Sequence, residues 1–189
     1  MARRGKGSEA LKWSLIGSGI AAGAVLIPLI PAIRRRAMRV TTILAKDHRL
    51  VRGLIATLEI TPRLNGLVRE TVFWQIRTGV MVHAQAEEEV VYPVMRSLMF
   101  MGGQSTIDEL YREHEEIKGL LADLEIMDPN TDAFDQKFED FKRTLKLHVD
   151  REEIEIFTVI RKEMLTEEQE RLGRRLHERK ISLKSRSAA

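Results

Sequence analysis

The sequence predicts an all-α fold, an antiparallel four-helix bundle with an N-terminal hydrophobic segment and a basic C-terminal helix or tail. Three observations predict it. From about Met38 onward the apolar residues recur at steps of three and four, the period of a helix with one buried face. Pro and Gly pairs break that period at three places, leaving four amphipathic stretches joined by short loops. No stretch alternates with the period of two that a half-buried strand requires.

The first helix carries Leu44, His48, Val51, Ile55 and Leu58 on one face and stops at Thr61-Pro62, because the residue before a proline avoids the α region. The second carries Val72, Ile76, His83, Glu87, Val90 and Val94, with Pro93 expected to kink or end it. Met101 to Ser105 reads as a loop closed by an N-cap serine. The third helix is the most regular: Ile107, Leu110, His114, Ile117, Leu121 and Leu124, ended by Asp128-Pro129-Asn130. The fourth runs Phe134, Phe138, Phe141, Leu145, His148, Glu152, Ile156 and Val159. Thr166 to Arg186 is helix-prone and basic, and is expected to form a solvated fifth helix fraying into a tail, with contact to a membrane surface as the functional alternative.

Domain limits follow: residues 1–36 form a basic head plus a hydrophobic segment, 37–165 the four-helix domain and 166–189 the basic tail. Trp13 to Ile33 is a run of 21 residues with no charge, about what a bilayer core of roughly 30 Å asks of a helix. Arg3, Arg4, Lys6 and Lys12 precede it and Arg34, Arg35, Arg36 and Arg39 close it. The expectation is a single-pass anchor, ahead of a docked or disordered tail or a cleaved signal peptide. The heavier basic flank on its C-terminal side leans towards a cytoplasmic domain.

The 189 residues include no Cys and 5 His. Thiolate nucleophiles, disulfides, zinc fingers and cysteine-held iron–sulfur clusters are therefore excluded. Any metal must be held by imidazole and carboxylate. The net charge of +3 is too small to imply a nucleic-acid partner, and none is expected.

Polar residues on the apolar faces carry the chemistry. His48, His83, His114 and His148 each stand at a core position of a different helix. His83 and His148 are followed four residues later by Glu87 and Glu152, a spacing that stacks imidazole and carboxylate on one face. The layout repeats: His48 to His83 spans 35 residues and His114 to His148 spans 34. Each pair is followed by a second glutamate (Glu88, Glu153), and by an aromatic nine residues after the histidine (Tyr92, Phe157). A pseudo-twofold bundle is implied.

One histidine on an apolar face is ordinarily a hydrogen-bonded core residue. Four in a repeated pattern with two glutamates, which are costly to bury unpaired, point to a metal site. Six side chains exceed one tetrahedral zinc and suit two six-coordinate ions with an oxo or hydroxo bridge. Mixed nitrogen and oxygen ligation favours two iron ions, with manganese as runner-up. Glu88 and Glu153 turn roughly 100° away from the ligands beside them and are expected to make surface salt bridges. His177, in the basic tail, has no carboxylate at the matching step and is not expected to bind metal.

At these residues the chain resembles the hemerythrin-like (HHE cation-binding) family, over about Val40 to Lys162. The strings that carry the resemblance are Lys46-Asp47-His48, His83-Ala84-Gln85-Ala86-Glu87-Glu88-Glu89-Val90-Val91-Tyr92-Pro93, Glu113-His114-Glu115 and His148-Val149-Asp150-Arg151-Glu152-Glu153. The resemblance implies a four-helix bundle with a non-haem di-iron centre that binds oxygen, nitric oxide or a related small ligand. His48, His83, Glu87, His114, His148 and Glu152 would be its ligands. The chain departs from oxygen-carrying members in having Lys118 where they place a fifth histidine, and Glu152 four residues after His148 in place of an Asp at five. It looks more like bacterial members with four His and two Glu, which suggests a bacterial inner membrane for the anchored form and the cytoplasm otherwise. Sensing or binding oxygen, nitric oxide or iron is the expected function. Alternatives are a di-iron enzyme (peroxide or nitric oxide reduction, or iron–sulfur cluster repair) and a metal-free helical membrane adapter.

Overall fold

The computed structural model describes residues 33–99 and 104–187. The expected anchor over residues 13–33 lies outside them but for Ile33. Among the described residues no helix is long and apolar enough to cross a membrane, and none forms a strand. The chain divides into two compact units, Met1–Ala37 and Met38–Ala189. The second contains every element named below.

Helix α1 (Val40–Ile60) packs against α2 (Gly66–Ala86), and α4 (Gln104–Glu125) against α5 (Asp132–Arg151). Both hairpins extend through one π-helical turn. Glu87–Val91 joins α2 to α3 (Tyr92–Leu98), and Glu152–Ile156 joins α5 to α6 (Phe157–Glu163). Each π-turn admits one extra residue and so rotates the buried face. Tyr92 and Met95 are buried in the first hairpin and Phe157 and Ile160 in the second, whereas Val94 and Val159, expected on those faces, are half-buried. Pro93 fits because the wider turn comes first: the amide of Tyr92 reaches back five residues to the Glu87 carbonyl. Pro93 thus neither ends nor breaks the helix, as a proline in a regular helix interior would tend to.

Helix α4 begins at Gln104, so Ser105 sits inside its first turn and is not its N-cap. At α5 the cap is Thr131, whose hydroxyl accepts from the Phe134 amide at 3.2 Å. The larger correction concerns α7 (Thr166–Ser187). Instead of a solvated tail it is a fifth core element lying on α1, α2 and the first π-turn, with Leu172, Leu176 and Leu183 buried. Much of its charge stays outside on the other face, where Arg171, Arg174, Arg175 and His177 are exposed, while Glu170 is buried and Lys180 pairs with Asp47.

The apolar core falls into two clusters. One gathers Leu44, Ala86, Leu110, Ile156 and the α7 leucines; the other gathers Val51, Ile76, Ile117, Phe138 and Leu145. His48, His83, His114 and His148 lie in sequence at the boundary between them, so the polar layer is sandwiched between two dry ones. Away from that layer, buried Arg69 ties the α1–α2 turn to the α4–α5 turn. It donates to the carbonyls of Pro129 (2.7 Å) and Thr61 (3.0 Å) and pairs with Asp135 at 2.5 Å.

Candidate metal centre

Each histidine presents one nitrogen inward and holds the other against a carboxylate. His48 Nδ1 donates to Glu153 (2.9 Å), His83 Nδ1 to Asp47 (3.3 Å), His114 Nδ1 to Glu88 (2.8 Å) and His148 Nδ1 to Glu113 (3.0 Å). A proton fixed on Nδ1 leaves the Nε2 lone pair free, and that is the tautomer a metal needs. The inward nitrogens meet in pairs, His48 with His83 at 3.3 Å and His114 with His148 at 3.1 Å.

Glu87 and Glu152, both fully buried, stand between the pairs. Glu87 Oε2 lies 3.1 Å from His83 Nε2 and 3.5 Å from His114 Nε2. Glu152 Oε2 lies 3.3 Å from His48 Nε2 and 3.7 Å from His148 Nε2. Each carboxylate therefore touches a histidine of either pair, as a bridging ligand would. Among the described residues two groups of donors are close enough to hold one ion each: His48, His83, Glu87 and Glu152, and Glu87, His114 and His148. The six residues expected to be ligands come together, and His177 stands apart on the exposed face of α7.

The π-turns make this possible. Both begin at the candidate ligand, Glu87 or Glu152, so that side chain lies at the step where the backbone widens, a frequent place for functional residues. The pseudo-twofold relation is carried across the hairpins. Tyr92 stacks on His114 (centroids 5.3 Å apart, 26°) and Phe157 on His48 (5.9 Å, 5°). Glu88 and Glu153 make the expected salt bridges, with Lys118 and Arg52, and also reach sideways to the lone histidine of the opposite hairpin. A rotation of roughly 100° points them at the neighbouring helix. Asp47 and Glu113 do the same for His83 and His148, one residue before each lone histidine. Lys118 braces this shell by pairing with Glu88 and Glu115, both at 2.8 Å.

The field at the site favours a cation. Burial pulls the His83 imidazolium down, but Glu87 and Asp47 outweigh it and raise its pKa to about 10. His114 is raised in the same way against its burial, by Glu87 and Glu88. Burial pushes Glu87 up, and His83 and His114 more than offset it, holding the carboxyl well below its usual range. Protons thus do in the metal-free chain what a cation would otherwise do. They do not satisfy the site: Glu87 Oε1 and Glu152 Oε2 are buried with no hydrogen-bond donor, a costly condition for a carboxylate. Four imidazole nitrogens and two buried carboxylates with two orphaned oxygens fit metal binding by mixed nitrogen and oxygen ligation.

The two halves differ in access. A cavity of about 390 Å³ between α1, α2 and α5 reaches His48 and His83, walled by Val51, Ile55, Val80 and Leu145, with exposed Arg52 and Lys146 at its edge. His114 is covered by Tyr92, whose hydroxyl lies 3.1 Å from Nε2.

Residues 39–160 match the hemerythrin HHE cation binding domain. A crystal structure of a hemerythrin HHE cation binding domain-containing protein from Mycobacterium kansasii superposes with a TM-score of 0.70, covering 79% of this chain and 90% of that one at 19% identity. That likeness is one of fold. A DNA nickase from Nostoc sp. is 29% identical over 160 residues, 84% of this chain and 44% of that protein. This chain thus spans less than half of that relative's length.

Proposed function

The chain belongs to the hemerythrin HHE cation-binding family, and on that premise we propose that it is a non-haem di-iron protein that binds or senses oxygen, nitric oxide or iron. The observation that carries the reading is the pair of buried glutamates between two imidazole pairs, each with an oxygen that no donor satisfies. His48 and His83 would hold one ion, His114 and His148 the other, with Glu87 and Glu152 bridging and an oxo or hydroxo group completing the link. When bound, the metal pair supplies electrons and open coordination positions to a small ligand. The chain supplies the rest. The carboxylate behind each imidazole fixes its tautomer and raises its basicity. The apolar cavity admits a small neutral molecule to the His48–His83 side while offering water few partners.

Turnover is the second reading, because the cavity is larger than a diatomic needs. Adding azide or nitric oxide to the oxidised, iron-loaded chain separates the two. A binding protein changes its visible spectrum in proportion to occupancy and consumes nothing; a reductase consumes peroxide or nitric oxide catalytically. No spectral response to either ligand would contradict both readings.

Membrane attachment through residues 13–33, with the bundle on the cytoplasmic face, is proposed from the charge pattern alone. The nickase relative brings nucleic acid into the tests. Nicking of a supercoiled plasmid by the iron-loaded chain would extend that relative's activity to this one.

A further inference from the structure

Tyr92 opens α3 directly after the first π-turn and is fully buried. Its Oη lies 2.9 Å from Glu152 Oε1, 3.1 Å from His114 Nε2 and 3.5 Å from Glu87 Oε2. Glu152 Oε1 and Glu87 Oε2 can only accept, and His114 Nε2 joins them once it gives up its proton to a metal, the other ring nitrogen being committed to Glu88 through Nδ1. A phenol has one proton and can satisfy one of them. The other two approaches set lone pair against lone pair, unless a cation lies among them.

The spacing is that of a coordination shell. Neighbouring donors on a six-coordinate ion with bonds of about 2.1 Å stand about 3.0 Å apart. His114 and His148 meet at 3.1 Å, and Tyr92 Oη stands from His114 at that same distance. Packing does not require the oxygen. At the matched place in the other hairpin Phe157 stacks on His48 with a plain ring.

We propose that Tyr92 is a seventh protein ligand, giving its phenolate oxygen to the ion held by His114 and His148. The proposal rests on the di-metal reading above. On ligation the Oη–H bond breaks, an Oη–metal bond forms and the proton leaves to water; no electron moves. One subsite then carries an anionic oxygen from Tyr92, while the other faces Phe157 and the cavity, so the two ions are chemically unequal although their histidines are related by pseudo-symmetry.

The test loads the full chain with ferrous iron under anaerobic conditions and oxidises it in air. Iron content and resonance Raman spectra with visible excitation are then recorded. The wild type should show phenolate ring modes. Tyr92→Phe should lose them completely, while Tyr111→Phe keeps them. Tyr111 is the other of the chain's two tyrosines and donates its hydroxyl to the Glu88 carbonyl at 3.0 Å. Iron-loaded wild type without phenolate modes, or modes that survive Tyr92→Phe, would overturn the proposal and leave the di-iron reading standing. If Tyr92→Phe retains no iron, the wild-type and Tyr111→Phe spectra decide. Wild type that takes up no iron overturns both readings.

Discussion

Each of the four histidines proposed as ligands leans on a carboxylate from another helix, and that second layer is the least obvious part of the site. Asp47, Glu88, Glu113 and Glu153 each sit one residue from a proposed ligand, so the pattern was present in the sequence as acidic residues beside the metal motif. It was not legible there because a neighbour on a helix points roughly 100° aside, and only the packing shows that another helix waits in that direction. Asp47→Asn should weaken metal affinity by about 10–100-fold with the fold intact, read by competition with a chromophoric chelator. The same change should leave His114 and His148 undisturbed. An affinity unchanged by Asp47→Asn would remove the role assigned to this layer.

Protonation belongs to the residue scale too. With a pKa raised to about 10, His83 is charged at pH 7 in the metal-free chain and must give up its proton to a metal. Apparent affinity should therefore rise by about tenfold per pH unit for that proton as pH climbs towards 10. Calorimetry in two buffers of different ionisation enthalpy should read at least one proton released per chain; equal heats in both would contradict it. The sign for stability is opposite. The contribution of a raised His is complete below pH 6.5 and is lost as pH rises through about 10, so the metal-free chain should weaken on that side.

Among the elements, the four amphipathic helices and the convergence of the six candidate ligands were legible because the period of three and four carried through His48, His83, His114 and His148 as if they were hydrophobes. The π-turns were not, since H-x-x-x-E satisfies an ordinary helix and the widening begins only at the glutamate. Pro93 was the sole local hint, and Glu152–Ile156 has no such marker. The docking of α7 was not legible for another reason: Leu172, Leu176 and Leu183 lie at helical steps, but the arginines and lysines around them give the segment the charge of a solvated surface. Its docking has a sharp structural consequence. A Cβ on Gly173 would lie 1.9 Å from the Met38 carbonyl oxygen, a backbone atom that cannot swing aside. Gly173→Ala should therefore push α7 off the start of α1, loosening Lys180 from Asp47 and destabilising the fold by roughly 1–3 kcal/mol. Chemical denaturation of the metal-free protein reads this. An unchanged midpoint would show that α7 is not held there.

At the scale of the whole molecule, two dry clusters enclose one polar layer, and both hairpins bring it the same equipment: a lone histidine, a His–Glu pair, a π-turn and an aromatic ring. That duplication is what supports the proposal of two ions, one for each hairpin. The segment 13–33 and the basic outer face of α7 bear on where the molecule works, and their roles stand as proposals independent of the centre. The central claim is tested most directly by metal analysis of the full chain after iron-replete expression, with Glu87→Ala, Glu152→Ala and His177→Ala alongside. Two irons per chain are predicted in the wild type and in His177→Ala, and one or none in either glutamate variant. Fewer than about one metal per wild-type chain, or equal loss in all three variants, would contradict the account.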